Sequence, residues 1–211
     1  MSRLRYKRAD AIRHLQQQCP RLRQFIASHG PLQLRVARDG SLFEALARAI
    51  VYQQLSGKAA GTIHGRFCAL FPAQQPVAAD LVHMSFDQLR AVGLSRNKVL
   101  AIQDLAEKSL AGVLPNSRQI GAMDDQAVIE KLCEVRGIGP WTAQMLLIFT
   151  LGRPDVMPAA DLGVQKGVQV IYRMRKLPNP NQVLQRTRHL APYRSAASWY
   201  FWRAADTALM S

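Results

Sequence analysis

At 211 residues and 48% hydrophobic, the chain has the composition of an ordinary globular protein that buries one core or two small lobes around a cleft. No apolar stretch reaches the about 18 residues of a membrane span, and the N-terminal MSRLRYKRADAIRHLQQQ lacks the apolar centre of a secretion signal, so the chain reads as cytosolic. Its 28 Lys+Arg against 14 Asp+Glu, a net charge of +14, run from Arg3 to Arg203 rather than along one amphipathic membrane helix, which points to a polyanion such as nucleic acid. The plainer alternative is charge that only keeps the protein soluble.

In chain order, helical periodicity dominates. A first helix is predicted over 7–18, and LQLRVARDG (32–40) then alternates like a strand. SLFEALARAIVYQQLS opens with a capping-box pattern, Ser41 to Glu44, and repeats apolar residues at Phe43, Leu46, Ala47 and Ile50. Further helices are expected over 58–71, from the capping box Ser85 to Gln88 onward, and over 96–111, 124–134, 140–151, 162–174, 180–190 and 193–209. The fold class is therefore all-α, with short connections rich in Gly and Pro and no repeat or long linker. Cys19, Cys68 and Cys133 lie far apart and match no zinc or cluster pattern, so they read as reduced core thiols. Neither a metal nor a cofactor is expected.

The stretch VRGIGPWTA (135–143) concentrates two glycines and a proline between two predicted helices. Gly137 and Gly139 permit positive φ and leave no Cβ in the way, and Pro140 suits the first position of the next helix. Backbone N–H groups at such a turn make a natural site for one phosphate, although a plain tight connection between packed helices would look the same. A helix-turn-helix reader needs polar side chains on its second helix. Here Trp141, Met145, Leu146, Leu147, Ile148 and Phe149 make that helix apolar nearly all round, so only its N-terminal tip is left to meet DNA.

VRGIGPWTAQMLL resembles the hairpin of the helix-hairpin-helix DNA glycosylases, and VMPAADLGVQKG, downstream of it, resembles the segment that carries their essential aspartate. AIVYQQLSGKAAGTI and LAPYRSAASWYFWR agree with the same family, in the order and spacing of the 3-methyladenine DNA glycosylase II branch, over residues 41–205. The resemblance implies two all-helical lobes around a cleft, within a single glycosylase domain over 1–211 whose hairpin spans 124–151. The residues before 41 are too few for the additional N-terminal β-rich domain of some relatives, so the compact form is expected.

The acid falls on Asp161, with Ala160 where many relatives carry a second acid. An oxocarbenium-like sugar is stabilised by an adjacent anion that can also orient or deprotonate water, so one carboxylate suffices. Asp161 also stands where an Asp would cap the helix LGVQKGVQVIY; the two roles are compatible because a helix N-terminus favours negative charge. The resemblance further implies that Gly137, Gly139 and Thr142 hold the DNA backbone, and that Gln54 or Leu55 wedges into the gap left by a flipped base. Trp141, Trp202 and Tyr193 would line the base pocket, although core packing must account for some of the C-terminal aromatics. Trp141 stands where the strand-cutting relatives have a lysine, so water is the expected nucleophile; Lys166 is a weaker rival. The resulting expectation is a monomeric, cytoplasmic glycosylase, nucleoid-associated if bacterial, that releases alkylated purines such as 3-methyladenine and 7-methylguanine from double-stranded DNA and leaves an abasic site. A glycosylase for deaminated, etheno or oxidised bases, and a non-catalytic DNA-binding module, are the alternatives.

Overall fold

The computed structural model describes residues 4–37 and 40–208. Its helices, in chain order, are α1 (Arg8–Gln18), α2 (Pro20–His29), α3 (Leu42–Tyr52), α4 (Gly57–Cys68), α5 (Ala78–Leu81), α6 (Phe86–Ala91), α7 (Arg96–Leu110), α8 (Ser117–Ala122), α9 (Asp125–Cys133), α10 (Pro140–Phe149), α11 (Leu162–Tyr172), α12 (Pro180–Thr187) and α13 (Arg194–Ala208). Short 3-10 turns occupy Pro72–Gln74 and Arg188–Leu190. No strand forms among the described residues, so the all-α expectation holds. No helix among them is long and apolar enough to cross a membrane.

The chain divides into two compact units: Met1–Arg38 with Leu147–Ser211, and the contiguous Asp39–Leu146. The division falls inside α10. In the contiguous unit, α3 begins where both halves of the expected capping box form, with Ser41 Oγ accepting from Glu44 N at 3.2 Å. Its apolar stripe buries Phe43, Leu46, Ala47, Ile50 and Val51, and α7 buries Val99, Ala101, Ile102, Leu105 and Ala106 at the same three-and-four spacing. Helices α3 and α7 pack together, and Lys98 Nζ on α7 donates to Val51 O at 2.7 Å near the C-terminus of α3.

The other unit joins both ends of the chain. Helices α1 and α2 are separated by Cys19 alone, and α11 packs along α13. Gly163 and Gly167, one turn apart on α11, allow that approach. A Cβ at Gly167 would lie 1.9 Å from the Phe201 carbonyl oxygen, so the two backbones touch there.

The predicted strand at 32–40 is corrected. Among its described residues, Leu32 and Leu34 are buried and Gln33 and Arg35 exposed, so the alternation is real, but the segment pairs with no second strand. Arg8 Nη2 takes the Leu34 carbonyl at 2.9 Å, and Ala37 N donates to Phe149 O at 2.8 Å. Positions 38 and 39 of that prediction lie outside the described residues, as does the end of the predicted helix 193–209 at position 209. Helices predicted to 71, 151 and 174 stop at Cys68, Phe149 and Tyr172, and 180–190 is α12 followed by the second 3-10 turn. Of the three free cysteines only Cys19 is buried; Cys68 and Cys133 are half-buried and so are not core thiols.

Candidate active site and nucleic-acid interface

Asp161 ends the loop that leads into α11 and caps that helix, as its position in the sequence suggested. Its Oδ1 accepts from Val164 N at 2.8 Å. The same oxygen accepts the Trp202 indole N–H at 2.8 Å, a bond that reaches across from α13. Trp202 is in turn stacked on Phe149, with ring centroids 5.6 Å apart and planes inclined by 28°. A Cβ at Gly163 would come within 2.8 Å of Trp202 Cδ1, so the glycine leaves the indole room to reach the acid. Two donors on one oxygen fix the carboxylate's orientation, and the half-buried setting keeps it reachable. The preceding loop is held by Asp161 N to Pro158 O at 3.0 Å and by Gln165 Nε2 to Ala159 O at 3.0 Å, and Ala160 is exposed.

Tyr193 belongs to the same unit. Its ring neighbours are Tyr6, with centroids 5.7 Å apart, and His14, at 5.3 Å and nearly edge-on. Lys166 is half-buried on α11.

In the contiguous unit, α9, the turn after it and the first part of α10, up to Leu146, form the hairpin. Val135 and Ile138 are buried beneath the turn, and Ile138 N donates to Val135 O at 3.0 Å. Gly137 has φ +77°, and a Cβ there would also press on Ala101 Cβ at 3.3 Å. Of the two glycines that permit positive φ, Gly137 uses it and Gly139 does not: the Gly139 backbone lies outside that region, and a Cβ there would meet nothing within 4 Å. Among the described residues, none accepts a hydrogen bond from the N–H of Gly137, Gly139 or Thr142. Pro140 opens α10, and Trp141 beside it is 47% exposed while Thr142, Ala143, Leu146 and Leu147 are buried.

Side chains outside the turn hold it in place. Asp104 Oδ2 accepts from Arg136 N at 2.7 Å and from Lys108 Nζ at 2.8 Å, and Lys108 also donates to the Glu134 carbonyl. Partial burial opposes the charge on Asp104, but its hydrogen bonds to Lys108 and Arg136 and their positive charges outweigh that, so its pKa is lowered. Gln53 Nε2 donates to Gly137 O at 2.9 Å, which ties the hairpin to the turn carrying Gln54 and Leu55. Gln54 stands at φ +57°, a strained position for a residue with a Cβ, and Leu55 is 39% exposed.

The profile of the HhH-GPD superfamily of base excision DNA repair proteins matches residues 47–192. The chain belongs to that superfamily. It is 38% identical over 167 residues to DNA-3-methyladenine glycosylase 1 of Schizosaccharomyces pombe, covering 79% of this chain and 73% of that protein. It is 30% identical over 200 residues to the alkylbase DNA glycosidase-like protein mag2 of the same yeast, covering 94% and 93%. Among solved structures, the S. pombe glycosylase Mag1 in complex with abasic DNA matches with a TM-score of 0.81 at 34% identity, covering 92% of this chain and 95% of that one. A DNA-3-methyladenine glycosidase from Bacillus halodurans matches with a TM-score of 0.86 at 34% identity, covering 95% and 91%.

In this HhH-GPD protein the structure brings together Asp161 and Trp202 in one unit, and Gly137, Gly139, Thr142, Trp141 and the Gln54–Leu55 turn in the other. Sequence reasoning missed Phe149 beneath Trp202, Gly163 and Gly167 on α11, and the anchors Asp104 and Gln53. The glycines carried a readable signal in their four-residue spacing; Asp104, Gln53 and Phe149 carried none, because their partners are distant in the chain. Among the described residues no group of three or more His, Cys, Asp or Glu is placed to hold a metal.

Proposed function

We propose that the protein is a monofunctional DNA glycosylase that hydrolyses the N-glycosidic bond of alkylated purines, 3-methyladenine and 7-methylguanine among them, flipped out of duplex DNA. The observation that carries this reading is the carboxylate of Asp161, capping α11 and oriented by the Trp202 indole, in a chain of a base excision repair superfamily. A protein that only bound DNA would gain nothing from an acid set against phosphate-rich ligand.

Methylation at N3 of adenine or N7 of guanine makes the purine cationic. The bond from C1′ to the base nitrogen breaks, its electron pair leaves with the base, and the base departs neutral without needing a proton. Asp161 stabilises the developing positive charge on the sugar and takes a proton from the water that adds to C1′. Gly137, Gly139 and Thr142 offer N–H groups to one phosphate, Gln54 or Leu55 fills the vacated stack, and Trp141, Trp202 and Tyr193 contact the flipped base. Stacking of a cationic purine on an aromatic ring contributes about 0.5–2 kcal/mol per ring, so the bond's own lability supplies most of the discrimination. The protein acts as a monomer in the cytoplasm, on the nucleoid if bacterial.

The test is incubation with methylated genomic DNA and chromatography of the released bases. The wild type releases methylated purines, and Asp161→Asn, which keeps the cap but not the charge, loses on the order of 10²–10³ in single-turnover rate while binding duplex normally. Unchanged excision by that variant overturns the role of Asp161. Fastest release of a neutral lesion replaces the alkylation reading with a pocket selecting by hydrogen bonds. Borohydride traps no covalent adduct, since Trp141 offers no amine; a trapped species would point to Lys166.

A further inference from the structure

The net charge is unevenly divided. The unit that carries Asp161 holds 18 of the 28 Lys and Arg and 4 of the 14 Asp and Glu, so all of the +14 resides there, while the unit that carries the hairpin holds 10 of each and is neutral. The four acids of the charged unit are each engaged: Asp10 with Arg13, Asp155 with Arg194, Asp206 with Arg203, and Asp161 with Val164 N and Trp202.

Five of its cations, Arg173, Arg175, Lys176, Arg186 and Arg188, are exposed and pair with no carboxylate among the described residues. Tyr172, the last residue of α11, ties the segment that carries the first three to the one that carries the other two. Its hydroxyl donates to Arg186 O at 3.3 Å and lies 3.4 Å from His189 Nε2, and its carbonyl accepts from Arg21 of α2. The loop bearing Arg173, Arg175 and Lys176 therefore sits beside the C-terminal turn of α12. That loop is fixed by Arg173 N to Val170 O at 3.1 Å and Met174 N to Gln169 O at 2.9 Å.

Arg173 carries a second, independent signal. It ends α11 at φ +52°, ψ +48°, the left-handed cap that glycine fills without strain. An arginine there opposes local stability, and its neighbours add like-charge repulsion. Both costs are offset when a polyanion lies against the loop.

We infer that the end of α11 remote from Asp161 is a second DNA-phosphate contact, formed by Arg173, Arg175, Lys176, Arg186 and Arg188. It engages duplex beyond the stretch that the lesion site covers. The eleven residues of α11 span about 16 Å, so the two ends of one helix address different phosphates. The inference rests on the reading of the protein as a DNA-acting enzyme.

The test compares wild type with Arg175→Gln/Lys176→Gln/Arg186→Gln and, separately, with Arg173→Gly. Anisotropy titrations against salt use undamaged duplexes of about one and about four helical turns. On the long duplex the triple variant's log–log salt slope becomes shallower by roughly 0.9 for each of the three contacts, while its single-turnover release of 7-methylguanine from a short duplex stays at the wild-type rate. Arg173→Gly melts about 2 °C higher yet binds long duplex more weakly, a combination that a purely structural arginine would not give. An unchanged slope on the long duplex overturns the inference. So does an equal loss on both duplexes with failed excision, which would put the cluster at the lesion site, or tighter binding to phosphatidylserine vesicles than to DNA. Wild type that shows the expected slopes but releases no base would defeat the proposed activity and leave this contact standing.

Discussion

Asp161 Oδ1 receives one hydrogen from its own helix and one from Trp202 on α13, so the packing of α11 on α13 acts directly on the carboxylate. Two glycines on α11 separate stability from alignment. At Gly163 a Cβ would collide with the Trp202 side chain at 2.8 Å and press on Asp161 Oδ1 at 3.1 Å, contacts with side chains rather than backbone, so Gly163→Ala separates the indole from the acid. Single-turnover excision should fall by about tenfold or more while urea unfolding changes by less than about 1 kcal/mol. At Gly167 the collision is with backbone at 1.9 Å, and nothing nearby can yield without moving a helix. Gly167→Ala should therefore cost about 3 kcal/mol or more in the same unfolding assay. Equal stability losses in the two variants would mean that the helices reseat freely.

At the scale of elements, the hairpin is a turn clamped from behind. Asp104, Lys108 and Gln53 occupy its carbonyls and one N–H, while the N–H groups of Gly137, Gly139 and Thr142 have no acceptor among the described residues. Gly139 needs neither positive φ nor close packing, so Gly139→Ala should fold as well as wild type. If a phosphate seats on that turn, the added methyl weakens binding to every duplex, damaged or not, by about tenfold, or ~1.4 kcal/mol, in an anisotropy titration. Loss confined to lesion-bearing duplex would move the turn's role from backbone to base.

Much of this layout was readable in the sequence, because capping and periodicity act over one or two turns. The boxes at Ser41 and Ser85 marked the starts of α3 and α6, and Pro140 the start of α10. The same signature, Asn116 with Gln119, opens α8, which is otherwise too short to show a period. Helix α2 hid behind α1, with only Cys19 and the N1 proline Pro20 to separate them. The alternation of Leu32 and Leu34 was sound, but a strand needs a partner, and no local pattern supplies one. Asp161 and the two hairpin glycines were legible from their motifs, whereas the Trp202 indole bond depends on how α13 lies along α11.

For the molecule as a whole, the Asp155–Arg194 pair joins the loop before Asp161 to the start of α13 with bonds of 2.7 and 2.8 Å. Burial works against the charge on Asp155, but the hydrogen bonds and positive charge of Arg194 outweigh it and hold the carboxyl below its ordinary range. For a carboxyl depressed in the folded state, the stabilisation is fully present above the unfolded value near about pH 4 and is lost as pH falls through the lower folded value. Arg194→Met should therefore be less stable than wild type by about 2 kcal/mol at neutral pH, with a gap that narrows below about pH 4. Urea unfolding at a series of pH values measures it, and a gap constant down to acid pH would assign the loss to packing.

The unit that carries Asp161 is made of two separate segments, and the hairpin unit is the uninterrupted stretch between them. During synthesis the hairpin unit can close as soon as it clears the ribosome, while α1 and α2 must wait for α13 and α11, against which they pack. Asp161 acquires its indole partner only when Trp202, 41 residues further along, has been made, so the carboxylate is set in place after the whole hairpin unit and α11 have been synthesised.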